Sequence, residues 1–329
     1  MGAATGGMAR TTGRRHKRSK AMDEQLYFLG SGLSLADKIE KAIANLREYE
    51  KEALRRDPVN GYYLCDSYGK DSGVILRLAQ MSGVRFLAHH NLTTLDPPEL
   101  IYFGRKHHPE TVVHKPVKPL IPSMLDESQG PPTRLSRWCC EKYKESAGEG
   151  KVCVFGVRAA ESARRKANWK IWQPMNRKRE GWILNPILYW TDDDVWRFTR
   201  DQGVPYCSLY DEGKKRLGCI GCPMAGDGRY DDWERWPKYE QAWQRGFKAF
   251  WDRGHGVPLE KPRWVSMIGK WPFRPIAGER EEERDGEPGF WTLRRWYDLR
   301  GFETWQDLWR WWMEELPEPE DDDCQMGLF

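Results

Sequence analysis

The stretch Tyr62-Tyr63-Leu64-Cys65-Asp66-Ser67-Tyr68-Gly69-Lys70-Asp71-Ser72-Gly73-Val74-Ile75-Leu76 does most to limit what this chain can fold into. It joins a short apolar run to a helical pattern through a small, polar, glycine-bearing turn. Tyr62 to Cys65 reads as the end of a buried strand. Val74, Ile75, Leu78 and Ala79 recur at helical spacing, which puts Lys70 to Ser72 in the first helical turn. The unpaired amide N–H groups and the positive end of the helix dipole then point into the turn and make it a receptor for phosphate. Gly69 lets the backbone approach an anion closely, and Lys70 adds a full positive charge. The loop is not Gly-x-x-x-x-Gly-Lys-Ser/Thr, because no second glycine precedes Gly69 at that spacing. An ordinary strand-to-helix turn with a surface lysine is the plain alternative.

Elsewhere, apolar runs alternate with helical patterns. From Ser34, with Leu35, Ile39, Ala42, Ile43 and Leu46 at helical spacing, an amphipathic helix is predicted to about Arg56, where Asp57-Pro58-Val59-Asn60-Gly61 breaks it. Val84 to Ala88, Val112-Val113 and Val152 to Val157 read as further strands, the last continuous enough to be covered on both faces. This alternation predicts an α/β fold with a doubly wound, mostly parallel sheet. Thr191 is placed to cap a helix while Asp194, three residues on, reaches back as the acid of a capping box. That accounts for the cluster Asp192-Asp193-Asp194 by capping, with metal binding as the other reading.

Three regions are expected: a basic flexible leader over 1–25, a nucleotide-binding domain over 26–226 and a Trp-rich, mainly helical region over 227–329. Twelve of the 18 tryptophans follow Pro223, and Glu279 to Glu287 reads as an exposed polar loop. Trp305, Trp309 and Trp312 fall on one helix face, a pattern of core packing, although aromatics also stack on bases. No apolar run approaches the roughly 20 residues of a membrane helix, so a protein without a membrane span is expected. The net charge of +4 is too small to mark a nucleic-acid binder. Arg10, Arg14, Arg15, Lys17, Arg18 and Lys20 form a solvated basic extension, a nucleic-acid contact or a transit segment.

Eight cysteines in 329 residues are too few for a disulfide scaffold, and a reducing cytoplasm is expected. Cys139-Cys140 stand side by side, and Cys219-Ile220-Gly221-Cys222 follows far downstream. Four thiols are the complement for tetrahedral zinc or for a 4Fe-4S cluster, and an adjacent pair is unusual for zinc. Unligated thiols and a redox dithiol are the alternatives. Cys65, Cys153 and Cys207 fit core positions.

Ser67-Tyr68-Gly69-Lys70-Asp71-Ser72 resembles the Ser-Gly-Gly-Lys-Asp-Ser signature of PP-loop ATP pyrophosphatases, whose fold is shared by ATP sulfurylase small subunits and phosphoadenylyl-sulfate (PAPS) reductases. Asn91 to Glu99, Phe155-Gly156-Val157-Arg158-Ala159-Ala160-Glu161-Ser162-Ala163-Arg164 and Asn185 to Asp211 are similar to further PAPS reductase segments in the same order. An adjacent cysteine pair followed by a distant Cys-x-x-Cys is similar to the iron-sulfur signature of assimilatory adenylyl-sulfate (APS) reductases. The resemblance spans about Gly61 to Met224. It implies an adenine nucleotide, ATP or APS/PAPS, held by Ser67, Tyr68, Gly69, Lys70, Asp71, Ser72, Asp96 and Glu161. Lys70, Asp71, Arg158 and Arg164 would do the chemistry, with a 4Fe-4S cluster on Cys139, Cys140, Cys219 and Cys222 and with Mg²⁺. Arg158 and Arg164 follow a strand end, where open α/β sheets bind ligands, and guanidinium forks suit sulfate or phosphate. Glu161 either orients one fork or is its salt-bridge partner. Asp96 holds a ribose hydroxyl or a metal, or simply forms a turn.

Two features depart from a simple reductase. The last residues are Asp323-Cys324-Gln325-Met326-Gly327-Leu328-Phe329, without the Glu and His that flank the family's nucleophilic cysteine, and its acidic neighbours blunt Cys324. It also keeps Lys70-Asp71-Ser72, which the reductases tend to lose. This combination resembles DNA phosphorothioation enzymes and cluster-dependent thiolases of RNA. The expected reaction is ATP α,β-cleavage with adenylation coupled to sulfur transfer, served by a sulfur- or electron-donor protein, with a nucleic acid as one conceivable acceptor. The alternatives are APS/PAPS reduction through Cys324 and a non-catalytic, zinc-containing module that binds nucleic acid or a partner.

Overall fold

Ser34 starts the first helix as the spacing predicts: its hydroxyl accepts the Asp37 N–H (3.2 Å) while its own N–H donates to the Asp37 carboxylate (3.2 Å). This helix, α1 (Leu35–Arg56), buries Ala42, Leu46 and Ala53 along one face. In the computed structural model the described residues are 32–126, 130–134, 136–145, 148–175, 179–253, 279–280, 291–292 and 304–314. The basic leader, most of the polar run from Glu279 to Glu287, the acidic tail and Cys324 lie outside them.

After α1 the chain turns at Gly61, whose φ of +68° and whose Cβ position, 2.2 Å from the Arg85 carbonyl oxygen, admit only glycine. There follow β1 (Tyr62–Cys65), α2 (Lys70–Ser82), β2 (Phe86–Asn91), α3 (Pro98–His107), β3 (Val112–His114), α4 (Leu120–Ser123), α5 (Trp138–Tyr143), β4 (Val152–Val154), α6 (Ala163–Asn168), β5 (Trp172–Pro174), β6 (Trp182–Leu184), α7 (Asp192–Asp201), α8 (Gly228–Arg235), α9 (Pro237–Arg253) and α10 (Trp305–Glu314). The sheet runs β3-β2-β1-β4-β6-β5. Strand β1 is parallel to β2 and to β4, β4 is parallel to β6, and β5 is antiparallel to its β6 neighbour. From β1 the connections lead outward through β2 and return to β4 on the other side, so the strand order reverses between β1 and β4.

The α/β class and mostly parallel sheet are as predicted; the details shift. Strand β2 starts at Phe86, because α2 ends at Gly83 in a left-handed cap (φ +72°) and Val84 still belongs to the turn. Strand β4 stops at Val154, since the chain then crosses close beneath Asp71. The short strands β5 and β6 were not legible from periodicity.

By contact the chain divides into two units interleaved in sequence. Among the described residues, the first comprises those up to His90, within Tyr102–Val112 and within Gly148–Lys214; the second comprises those within Asn91–Ile101, within Val113–Ala147 and from Lys215 on. In the first, Leu46, Tyr62, Leu64, Ile75, Leu78, Val154, Leu184, Trp190 and Phe198 form one buried cluster on the sheet. Each such side chain contributes about 1.5–3 kcal/mol. Lys38 of α1 reaches Asp194 of α7 at 2.5 Å, both buried, and Asp194 also accepts the Thr191 N–H, so the predicted capping box forms. In the second unit Trp312 is fully buried, its ring 5.1 Å from those of Trp243 and Phe247, and Arg229 donates to the Trp312 and Met313 carbonyls near the end of α10. Of the predicted stripe, Trp312 packs as core and half-buried Trp309 sits against it and Phe247 (5.2 Å each), while Trp305 is only half-buried. No described helix is long and apolar enough to cross a membrane.

Candidate functional site

The turn after β1 opens at the carboxyl end of the strand beside which the sheet order reverses, where open α/β sheets place their ligands. Tyr68 stands where the resembled Ser-Gly-Gly-Lys-Asp-Ser signature has a glycine, and its backbone is left-handed, φ +61°, a region that favours glycine. Its ring explains how. It is buried, stacked on His90 (centroids 3.9 Å) and edge-on to His108 (5.5 Å), in a slot whose wall is Gly104 of α3. A Cβ on Gly104 would lie 2.3 Å from the Tyr68 ring. Beneath it, buried Asp66 accepts the Tyr68 N–H (2.9 Å), His108 Nδ1 (2.5 Å) and the Thr111 hydroxyl (3.1 Å). Burial pushes the Asp66 carboxyl up, but these donors, His108 first, outweigh it and hold it below its ordinary range.

Gly69 caps α2 in extended backbone, and the Lys70 N–H donates to the Tyr210 hydroxyl at 3.0 Å. The Ser67 and Ser72 hydroxyls meet at 3.2 Å, and Ser72 donates to the Gly69 carbonyl (2.9 Å). Lys70, 5% exposed, places Nζ 3.1 Å from Asp71 and 3.2 Å from Asp192. Arg158, 3% exposed, comes from the end of β4 and binds the same two acids, Nε to Asp71 at 2.7 Å and a terminal nitrogen to Asp192 at 3.0 Å. Gly156 lets the chain pass close to this ring: a Cβ there would stand 3.1 Å from the Asp71 backbone, tighter than an ordinary contact. Lys70, Asp71, Arg158 and Asp192 form a closed ring of ion pairs. Partial desolvation acts to raise the Asp192 carboxyl, yet Lys70 and Arg158 prevail and lower it.

Of the other predicted residues, Glu161 accepts the Arg158 N–H (3.1 Å) and pairs with fully buried Arg165, while Arg164, one residue earlier on α6, is exposed. Asp96 lies in the second unit and accepts the Thr93 N–H at 2.7 Å, the local turn that Asp-Pro suggests. Sequence reasoning missed Asp66, His90, Gly104, His108 and Tyr210 as parts of the loop's support, and placed Asp192 in an acidic cluster read as helix capping or metal binding, not as a partner of Lys70 and Arg158.

In the second unit the four predicted cysteines line one cavity, beside Leu95, Leu120, Pro132 and Trp243, with Lys144 in its wall. Cys139 and Cys140 come from the first turn of α5; Cys219 and Cys222 come from a loop held by Ile220 N–H to Leu95 O (2.7 Å) and Trp243 Nε1 to Ile220 O (3.2 Å). Between them Gly221 has φ +71°, and a Cβ there would sit 2.0 Å from the Trp233 ring. The Cys140 thiol is lowered to about 5, chiefly by its hydrogen bond with Cys139, against burial and aided by Lys144 and Arg137. Among the described residues no three His, Cys, Asp or Glu side chains are grouped closely enough to grip a single metal ion.

A glycine-bearing strand-to-helix turn at the reversal of a mostly parallel α/β sheet is the arrangement that the resemblance to PP-loop proteins implies. Residues 62–225, about half the chain, match the family model of the phosphoadenosine phosphosulfate reductase domain, and the chain belongs to that family. It is 30% identical over 139 residues to the adenosine 5'-phosphosulfate reductase of Staphylococcus epidermidis, covering 38% of this chain and 56% of that protein. It is 31% identical over 104 residues to the Bacillus anthracis enzyme of the same name, covering 29% and 45%. Among solved structures, the phosphoadenylyl-sulfate reductase of Candida auris in its phosphate complex aligns with a TM-score of 0.40 at 16% identity, over 65% of this chain and 98% of that one. The chain spans about a quarter to just over half the length of the curated relatives it matches.

Proposed function

We propose that this chain binds an adenine nucleotide in the turn Ser67 to Ser72 and couples cleavage of ATP between its α- and β-phosphates to sulfur chemistry. The observation that carries this reading is the retained Lys70-Asp71-Ser72 turn, with buried Lys70 and buried Arg158 joined through shared acids at the sheet's switch point. The α2 amides and Lys70 would hold the departing pyrophosphate, and Arg158 would neutralise charge gathering on the phosphates. An acceptor oxygen attacks the α-phosphorus, the bond to the pyrophosphate oxygen breaks, and an acceptor adenylate forms. A sulfur nucleophile from a donor protein then displaces AMP. Mg²⁺ would arrive with the phosphates, as is usual for nucleotide substrates.

The cysteine cavity supports a 4Fe-4S cluster on Cys139, Cys140, Cys219 and Cys222. Four thiols from two separate segments line one pocket, with Thr93 and Lys144 beside them, and an adjacent cysteine pair is unusual for zinc. A cluster ligated by four cysteines spreads them over a larger body. When bound, it would supply the redox and sulfur-handling chemistry. Anaerobically purified protein is expected to hold on the order of four irons and four sulfides per chain; zinc without iron would point to the non-catalytic module instead.

Pyrophosphate release from ATP tests the catalytic reading, with Lys70→Ala expected to lower it at least 100-fold, the scale of a lost oxyanion contact. The second reading, reduction of APS or PAPS to sulfite, is favoured by the reductases this chain resembles. It requires a thiol such as Cys324, so Cys324→Ser would abolish sulfite formation, whereas ATP cleavage would be unaffected. Nucleic acid as the acceptor is tested by whether DNA or RNA stimulates pyrophosphate release.

A further inference from the structure

The two acids in the ion-pair ring are not equivalent. Asp71 uses its two oxygens separately, one on Lys70 and one on Arg158, and its side chain is 20% exposed. Asp192 uses a single oxygen, Oδ1, on both cations, and its side chain is 61% exposed. A carboxylate oxygen shared by two buried cations is placed as one oxygen of a bound phosphate would be. The hydroxyl of Tyr210, from the segment following α7, likewise takes the Lys70 N–H, a group the α2 terminus would offer to an anion. Its ring is edge-on to Trp196 at 5.3 Å, with Lys70 Nζ 6.0 Å from its centre.

We propose that Asp192 and Tyr210 are internal substitutes for the substrate's phosphates, occupying the cradle until a diphosphate unit displaces them. This inference rests on the reading of the turn as a nucleotide-phosphate site and narrows its ligand. Asp71 stays behind as the inner partner, while Asp192, at the solvent edge, leaves by a side-chain rotation and is rehydrated at little cost. The entering ligand must replace an oxygen between Lys70 and Arg158 and an acceptor on the Lys70 amide together. A two-phosphate group can reach both, so the site should favour pyrophosphate over inorganic phosphate. Asp192 and Tyr210 thereby act as specificity-determining residues, because a weak or singly charged anion does not repay their removal.

The test is calorimetric titration of the full chain with pyrophosphate and with inorganic phosphate, without metal. The wild type is expected to bind pyrophosphate at least tenfold more tightly than phosphate. Asp192→Asn removes the competing charge and is expected to bind pyrophosphate about tenfold more tightly than wild type, with an unchanged melting temperature. Tyr210→Phe, which keeps the ring packed on Trp196, is expected to gain a few-fold. A residue that merely holds Lys70 and Arg158 in place would show the reverse, so equal or weaker pyrophosphate binding by Asp192→Asn, in a protein that melts as wild type does, overturns the inference while leaving the nucleotide site standing. If Asp192→Asn does not fold, Asp192→Ser and Tyr210→Phe carry the same sign requirement. Pyrophosphate binding by none of the variants or the wild type overturns both.

Discussion

Replacing Gly104 by Ala tests whether Tyr68 is what holds the phosphate turn in shape. Gly104 lies inside α3, where an alanine ordinarily stabilises a helix by up to about 1 kcal/mol. Here the new methyl would lie 2.3–2.5 Å from three atoms of the Tyr68 ring, which cannot retreat because His90 is stacked on one of its faces and His108 meets it edge-on. Overpacking of this kind costs about 1–3 kcal/mol. The net expectation is a loss of about 1 kcal/mol, read as a lower urea midpoint at unchanged slope. Displacing Tyr68 also moves Gly69 and Lys70, so pyrophosphate binding should weaken at least tenfold.

The informative comparison is the same change in a Tyr68→Gly background. Without the ring the clash vanishes, glycine accepts φ +61° freely, and Gly104→Ala should then stabilise by up to about 1 kcal/mol. The sign of the Gly104 effect therefore inverts, a coupling of about 2 kcal/mol, well above the additivity error of unconnected sites. Equal effects in both backgrounds, or a Gly104→Ala single variant that is stabilised and binds pyrophosphate normally, would refute the reasoning.

Three further outcomes are expected. Asp66→Asn should cost about 3 kcal/mol, as breaking a buried pair does. Because its folded pKa is depressed, the advantage of Asp66 is present above the usual carboxylate pKa of about 4 and fades as pH falls below it, so wild type and variant should converge in urea titrations between pH 6 and 2.5; a constant gap argues against a charged Asp66. Lys38→Met strands buried Asp194 and should cost about 3 kcal/mol in the same assay, and a loss under about 1 would show the pair to be dispensable. Gly221→Ala should cost about 2–5 kcal/mol from its left-handed backbone and its collision with Trp233, and should lower the iron content of anaerobically purified protein; normal iron with normal stability would detach the Cys-x-x-Cys loop from the proposed cluster.

What could be read from the sequence was local. The strand–turn–helix around Gly69, the Thr191 capping box and the α1 stripe each involve residues within a few positions of one another, so spacing alone defines them. The support of the turn is not local: Gly104, His108 and Tyr210 approach it only once the sheet has formed; nothing in their neighbourhoods marks Gly104 and His108, and the resemblance that covers Tyr210 says nothing of its contact with the turn. Arg164 and Arg165 illustrate the limit. The motif drew attention to Arg164, but adjacent residues on a helix point about 100° apart, and it is Arg165 that turns inward to Glu161. The cysteine spacing was legible as a set of four because thiols in pairs are rare enough to stand out, and one cavity gathers all four.

The ion-pair ring also limits how tightly any nucleotide can bind. Lys70 and Arg158 are each at most 5% exposed, and a buried cation left without a partner costs several kcal/mol. The ligand-free fold can keep both ready for phosphate only by supplying acids of its own, and it supplies two, so the resting ring carries no net charge. Binding then exchanges one set of ion pairs for another. The affinity is the difference between the two sets, not the sum of the new contacts. If Asp71 and Asp192 both stayed, an entering polyphosphate would meet no net attraction. One acid must therefore leave, or a divalent cation must enter with the phosphates, and Asp192 is the acid whose departure exposes the least buried surface. A site built this way resists stray anions while remaining open to a ligand with enough charge to replace what it displaces.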